Sequence, residues 1–176
     1  MSAAVSTEAD KTLIPSGSER MKLYRLKVSI IGIPRLYRLI DISSSATLED
    51  LHEAIFDAFN RYDPHLYSFF MTRQDTKNVR TIYNAPETTH PQNVQAAMGF
   101  GPSRRSAAKT RLGDLDLAEK EVFHYLFDFG DDWWHRIRVE RITEVPGRTK
   151  TITLVKRVGA SPPQYPEYDE EDDEDY

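Results

Sequence analysis

The sequence predicts an α+β protein: a largely antiparallel sheet with one main helix packed on a face. Three observations carry this. Residues 24–31, 35–42, 121–128 and 133–143 are rich in β-branched, aromatic and leucine side chains, as strands are. One stretch, 47–60, switches to helical spacing. Glycine, proline and aspartate punctuate the joints between these segments.

The first two strands, "YRLKVSII" and "RLYRLIDI", flank Gly32-Ile33-Pro34 and read as a hairpin. In the second, Leu36, Arg38, Ile40 and Ile42 share one face. That face is the core side, so Arg38 points inward, an uncommon place for an arginine. The helix follows: Leu48, Leu51, Ile55, Ala58 and Phe59 form its apolar stripe. Thr47 and Asp50 make a capping-box-like start, and Asn60 and Asp63-Pro64 end it. "HLYSFFMT" (65–72) returns to strand character, and a short strand is expected near Val79–Tyr83. A long Pro-, Gly- and Ser-rich connection carries Arg104, Arg105, Lys109 and Arg111. "EVFHYLFD" (121–128) and "WWHRIRVERIT" (133–143) form the last clear pair, and "TITLVKRV" (151–158) suits an edge strand or extended arm. The order β-β-α-β-β-loop-β-β is compatible with a β-grasp-like roll.

The chain has 176 residues, a length that favours one domain with tails. Residues 1–20 read as a disordered arm, 21–160 as the α+β domain, and 161–176 as a Pro-rich then acidic disordered tail. Cysteine is absent, which excludes disulfides and thiolate chemistry and fits a cytoplasmic setting. The N-terminus lacks a secretory pattern, and no apolar run is long enough to span a membrane. The last ten residues hold eight acids and no base, so a net charge of −5 hides a body of +3. Such a tail either keeps the chain soluble or competes with an acidic partner for the basic body.

The segment "YLFDFGDDWWHRIRVE" (125–140) concentrates the chemistry. His52, His65, His124, His135, Asp128 and Asp131 could converge on a metal, but no two histidines show a recognisable ligand spacing, and no cofactor is expected. "HEAIF" starts like a zinc-protease helix and fails at Phe56. Asp128 beside His135 would suit a general base, but no nucleophile elbow, phosphate loop or dinucleotide fingerprint accompanies it. A structural role explains more: Asp128, Gly130, Asp131, Trp133 and His135 as a polar lock, with Asp128 paired to Arg38. The outward set Trp134, Arg136 and Arg138, with Arg104 and Arg105, reads as a binding surface for nucleic acid or protein.

"TLEDLHEAIFDAF", "HLYSF", "YLFDFGDDWWHRIRVE" and "VGASPPQY" resemble, in that order, the plasmid pRiA4b ORF-3-like family. The resemblance spans about Tyr24 to Tyr165 and is most specific at Asp128, Phe129, Gly130, Asp131, Trp133 and His135. Its strand arginine matches Arg38, its helix Leu-His pair Leu51 and His52, and its next histidine His65. Many members end in a cysteine-bearing segment that this chain lacks. The resemblance implies a mobile-element context, since some members are named as insertion-element passengers. Others carry resolvase-like names, though no activated-serine arrangement is present here. The expectation is a non-catalytic binding or accessory module. The alternative is a small metal- or histidine-dependent enzyme centred on Asp128, Asp131 and His135, with Arg38 and His52 nearby.

Overall fold

The computed structural model describes residues 19–96 and 104–167. Residues 1–18 of the expected arm (1–20), part of the long connection (97–103) and the acidic tail from 168 onward lie outside the described residues.

Eight strands form a single sheet among the described residues. They are β1 (Arg20–Ile30), β2 (Tyr37–Ser43), β3 (Tyr67–Phe70), β4 (Glu87–Thr89), β5 (Arg105–Ser106), β6 (Val122–Phe127), β7 (Trp133–Pro146) and β8 (Ile152–Val158). Their order is β5-β4-β3-β6-β7-β1-β2-β8. β4 and β5 run parallel, and every other neighbouring pair is antiparallel. The expected α+β balance is therefore corrected: the described residues are dominated by one large mixed sheet, with a single helix longer than six residues among them. Two- and three-residue strands such as β5 and β4 are too short to show a period, so the sequence under-reports the sheet. A β-grasp core would run its first strand parallel to a neighbour. Here β1 is antiparallel to both β2 and β7.

Helix α1 (Leu48–Ala58) starts as its sequence requires. The Asp50 amide donates to Thr47 Oγ1 at 3.1 Å, and the Thr47 amide to Asp50 Oδ2 at 2.9 Å. It ends at Ala58 with Phe59 as its C-cap, and Asn60 follows with a left-handed φ of 56°. Leu48, Leu51, Ile55 and Ala58 pack on the inner sheet face with Leu26, Val28, Ile40, Phe69, Phe123, Ile137 and Val139.

The expected strand at 79–83 is a short helix, α2 (Val79–Tyr83). Asn78 caps it, its side-chain oxygen accepting from the amides of Arg80 and Thr81. The β-branched Val79, Thr81 and Ile82 favour a strand reading, and five residues are too few to distinguish the periods. The long connection also holds β4, a further helix α3 (Pro91–Ala96), β5 and two 3₁₀ turns that bury Ala107, Leu112 and Leu115.

The inner and outer faces follow strand parity. In β7, His135, Ile137 and Val139 are buried while Arg136 and Arg138 point outward. Opposite partners share a face, so Tyr125 lies beside His135, and His124 beside Arg136. β6 is buried throughout. Phe123, Tyr125 and Phe127 join the main core, whereas Leu126 joins a second cluster with Phe70 and Ile82 of α2. His124 and His135 therefore occupy opposite faces of the sheet, which removes any convergence between them.

Candidate functional site

On the inner face, Arg38 is 2% exposed and faces inward as expected. Its partner is not Asp128. Its Nε donates to Ala58 O (2.8 Å), its Nη1 to Tyr37 O and Val158 O, and its Nη2 to Ser161 Oγ (2.8 Å). α1 has no basic residue in its last turn. Arg38, with Arg157 at 2.8 Å from the same Ala58 carbonyl, supplies the positive charge that the helix C-terminus favours. Burial, and the neighbouring Arg157, pull the Arg38 pKa below its ordinary value.

Asp128 is buried with a φ of 62°, a conformation that aspartate tolerates better than most residues. Its Oδ1 accepts from the amides of Gly130 (3.0 Å) and Asp131 (3.3 Å), and its Oδ2 lies 3.4 Å from His65 Nε2. The turn-stabilising carboxylate is thus Asp128, while Asp131 is exposed. Asp128→Ala is expected to lose about 1–3 kcal/mol through the stranded turn amides, and Asp128→Asn to retain most of it. Chemical unfolding of both variants checks this, and equal losses would count against the turn assignment.

His135 is 1% exposed, and its Nδ1 donates to Trp133 O at 2.8 Å, which fixes the neutral tautomer. His52 is also buried. Its Nδ1 meets Tyr125 OH at 2.7 Å, and its ring stacks on Tyr67 with centroids 3.7 Å apart. Burial pushes both histidines from 6.5 down to about 3. The folded chain therefore holds these protons less tightly than the unfolded chain. The stability contributed by the neutral rings is complete above about pH 6.5 and is lost as pH falls toward 3. Each ring steepens the loss by up to about 1.4 kcal/mol per pH unit. Unfolding free energies measured from pH 7 down to 4.5 should fall, and His52→Gln should reduce the slope. A flat profile would contradict the assignment.

Trp133 of the expected lock packs against Arg61. Its ring lies under the guanidinium of Arg61, 4.3 Å from the centroid. Trp133 Nε1 and the Arg61 Nε and Nη2 are buried with no hydrogen-bond partner among the described residues. Burial also lowers the Arg61 pKa. The segment after β8 straps this corner. Arg61 Nη1 donates to Pro162 O, and Gln164 Oε1 accepts from the amides of Tyr62 and Asp63. The Tyr165 hydroxyl donates to Asp63 and lies 2.7 Å from His65 Nε2. Among the described residues, no group of three or more His, Cys, Asp or Glu side chains is placed to hold a metal ion.

The outer face is only partly covered. Trp134 packs under α2, with its ring 5.4 Å from Tyr83 and 5.7 Å from Phe70. Beyond it, β7, β1, β2 and β8 present Arg136, Arg138, Arg141, Arg25, Lys27, Tyr37, Leu39 and Lys156 side by side. Asp75 pairs with Arg136, Glu140 with Arg138 and Asp41 with Arg25. Lys27 sits over the Tyr37 ring at 4.3 Å. Arg141 and Lys156 have no carboxylate partner among the described residues. A shallow cleft of about 270 Å³ opens between Arg25, Lys27, Tyr37, Leu39, Glu140 and Arg141. Arg104 and Arg105 do not join this face: β5 lies at the far edge, separated from β7 by three strands, and Arg104 pairs with Glu87.

The model of the family described as plasmid pRiA4b ORF-3-like protein matches residues 22–165. The chain belongs to that family. The matched span runs from β1 to the end of the strap, so the family unit comprises the sheet, α1 and the segment closing over Arg38 and Arg61. A relative, uncharacterized protein y4hQ of Sinorhizobium fredii (strain NBRC 101917 / NGR234), is 29% identical over 144 residues. The match covers 80% of this chain and 64% of that protein, so the chain spans less than two thirds of its relative's length. A crystal structure of MM3350, a protein of unknown function from Methanosarcina mazei Go1, is similar at a TM-score of 0.62 and 28% identity. It covers 82% of this chain and 73% of that one.

Sequence reasoning missed Arg25, Lys27, Tyr37 and Arg141 on the outer face, and Arg61 and Gln164 on the inner side. The parity that placed Arg136 and Arg138 outward also places Arg25 and Lys27 outward in β1, so that signal was available. Arg61 follows a helix end, where no periodicity tells which way a side chain turns.

Proposed function

We propose that this chain is a non-catalytic accessory protein that binds single-stranded nucleic acid on the open face of its sheet. One observation carries the reading: four adjacent strands present cations from Arg136 to Lys156 around a central tyrosine, with no helix over them among the described residues. Cationic grooves that meet phosphates, with aromatic rings on which bases stack, are the recurring solution for single strands. Tyr37, next to the cleft and Lys27, is the stacking platform. Arg141 and Lys156 are the cations free for phosphate. The packing of Trp134 against Tyr83 and Phe70 moves the centre of the face from that tryptophan to Tyr37.

The family name supports a mobile-element setting, in which a nucleic-acid accessory role is natural. Burial of Arg38, Asp128 and His135, with Arg38 and Asp128 turned to different partners, favours a structural role for that set over catalysis. The test is a titration of a labelled oligothymidylate at several salt concentrations. Binding whose log affinity falls linearly with log salt, with a slope of several units, supports the reading. No binding at low salt overturns it.

A further inference from the structure

We propose that the acidic segment Glu167–Tyr176 docks on the open sheet face and competes there with nucleic acid, a regulatory contact that rests on the reading given above. Three observations converge on it. The first is charge: eight acids and no base in ten residues, against a body of +3. The face carries Lys27, Arg141 and Lys156 without carboxylate partners among the described residues.

The second is the point of departure. Gln164 is buried and bonded to the Tyr62 and Asp63 amides and to the Asp63 carbonyl, which fixes the chain immediately before the segment. Pro166 then lines a cleft of about 420 Å³ together with Ile31, Gly32 and Trp134. Trp134 lies two residues from Arg136 on β7, so the acidic segment leaves the body at the end of the basic face.

The third is reach. Trp134 to Arg141 is seven strand positions, about 24 Å. Ten extended residues span up to about 33–36 Å. The segment is long enough to lie along Arg136, Arg138 and Arg141 without disturbing the strap. At physiological salt, charges within about 8 Å of the face still feel it, so the contact is electrostatic and reversible.

The experiment compares the full-length chain with a full-length variant whose eight carboxylates from Glu167 to Asp175 are changed to their amides. Backbone amide spectra are recorded at low and high salt, and affinity for an oligothymidylate is measured in parallel. The proposal expects the amides of Lys27, Arg138 and Arg141 to differ between the two chains at low salt and to coincide at high salt. It expects the neutralised chain to bind the oligonucleotide about tenfold more tightly at low salt. Superimposable low-salt spectra with equal oligonucleotide affinity overturn the docking and leave the nucleic-acid reading standing. Salt-sensitive differences on this face, with no oligonucleotide bound by either chain, support the docking and overturn the nucleic-acid reading.

Discussion

Arg38→Ala is expected to destabilise the protein by about 3–5 kcal/mol. Two contributions add. Removing a fully buried long side chain leaves a cavity beneath Phe59, whose ring lies 4.8 Å from the guanidinium. It also strands acceptors on three elements: the last turn of α1, β8 and the strap at Ser161. Buried acceptors left without donors cost about 1–3 kcal/mol each where nothing replaces the donor. Ala58 keeps Arg157, which moderates the loss at that carbonyl. Arg38→Met, which preserves much of the volume, should recover the cavity contribution and not the hydrogen bonds. Urea unfolding of both variants checks this. A loss below about 1 kcal/mol for the alanine would mean that the guanidinium does not tie these elements together.

The second large effect is on binding. The triple variant Lys27→Glu, Arg141→Glu and Lys156→Glu is expected to weaken oligothymidylate binding by about 100-fold or more at low salt and to reduce the salt slope by about 2. These three are chosen because no carboxylate among the described residues pairs with them, so reversal breaks no ion pair within the sheet. All three lie at the surface of the sheet, and each change should shift stability by no more than about 0.5 kcal/mol. Tyr37→Leu tests the other half of the face. Loss of one stacking platform should cost about 1–3 kcal/mol of affinity without changing the salt slope. Unchanged binding by the triple variant, with the fold intact, would remove the face from the account.

Much of this architecture is legible in the sequence, for local reasons. The hairpin of β1 and β2, the Thr47–Asp50 start of α1, and the β6–β7 pair are each specified by side chains close in sequence. The inward turn of Arg38 and the outward turn of Arg136 and Arg138 follow from parity alone. The rest depends on contacts between distant residues. Asp128 could not be assigned to His65 rather than Arg38, because nothing local reports a register between β3 and β6. The strap is invisible for the same reason: Gln164 looks like one more residue in a proline-rich segment, yet it closes three hydrogen bonds to residues about a hundred positions away. α2 reads as a strand in the sequence because five residues carry too little period to outweigh three β-branched side chains.

The central claim is that the uncovered face of β7, β1, β2 and β8 is where nucleic acid sits. Amide shift mapping of the full-length chain titrated with an oligothymidylate tests it most directly. The account predicts that the largest shifts fall on Lys27, Tyr37, Leu39, Arg138, Arg141 and Lys156, with α1 and the Asp128 turn unmoved. Shifts concentrated instead around Arg61, Trp133 and the strap, or at Arg104 and Arg105 on the far edge, would contradict it.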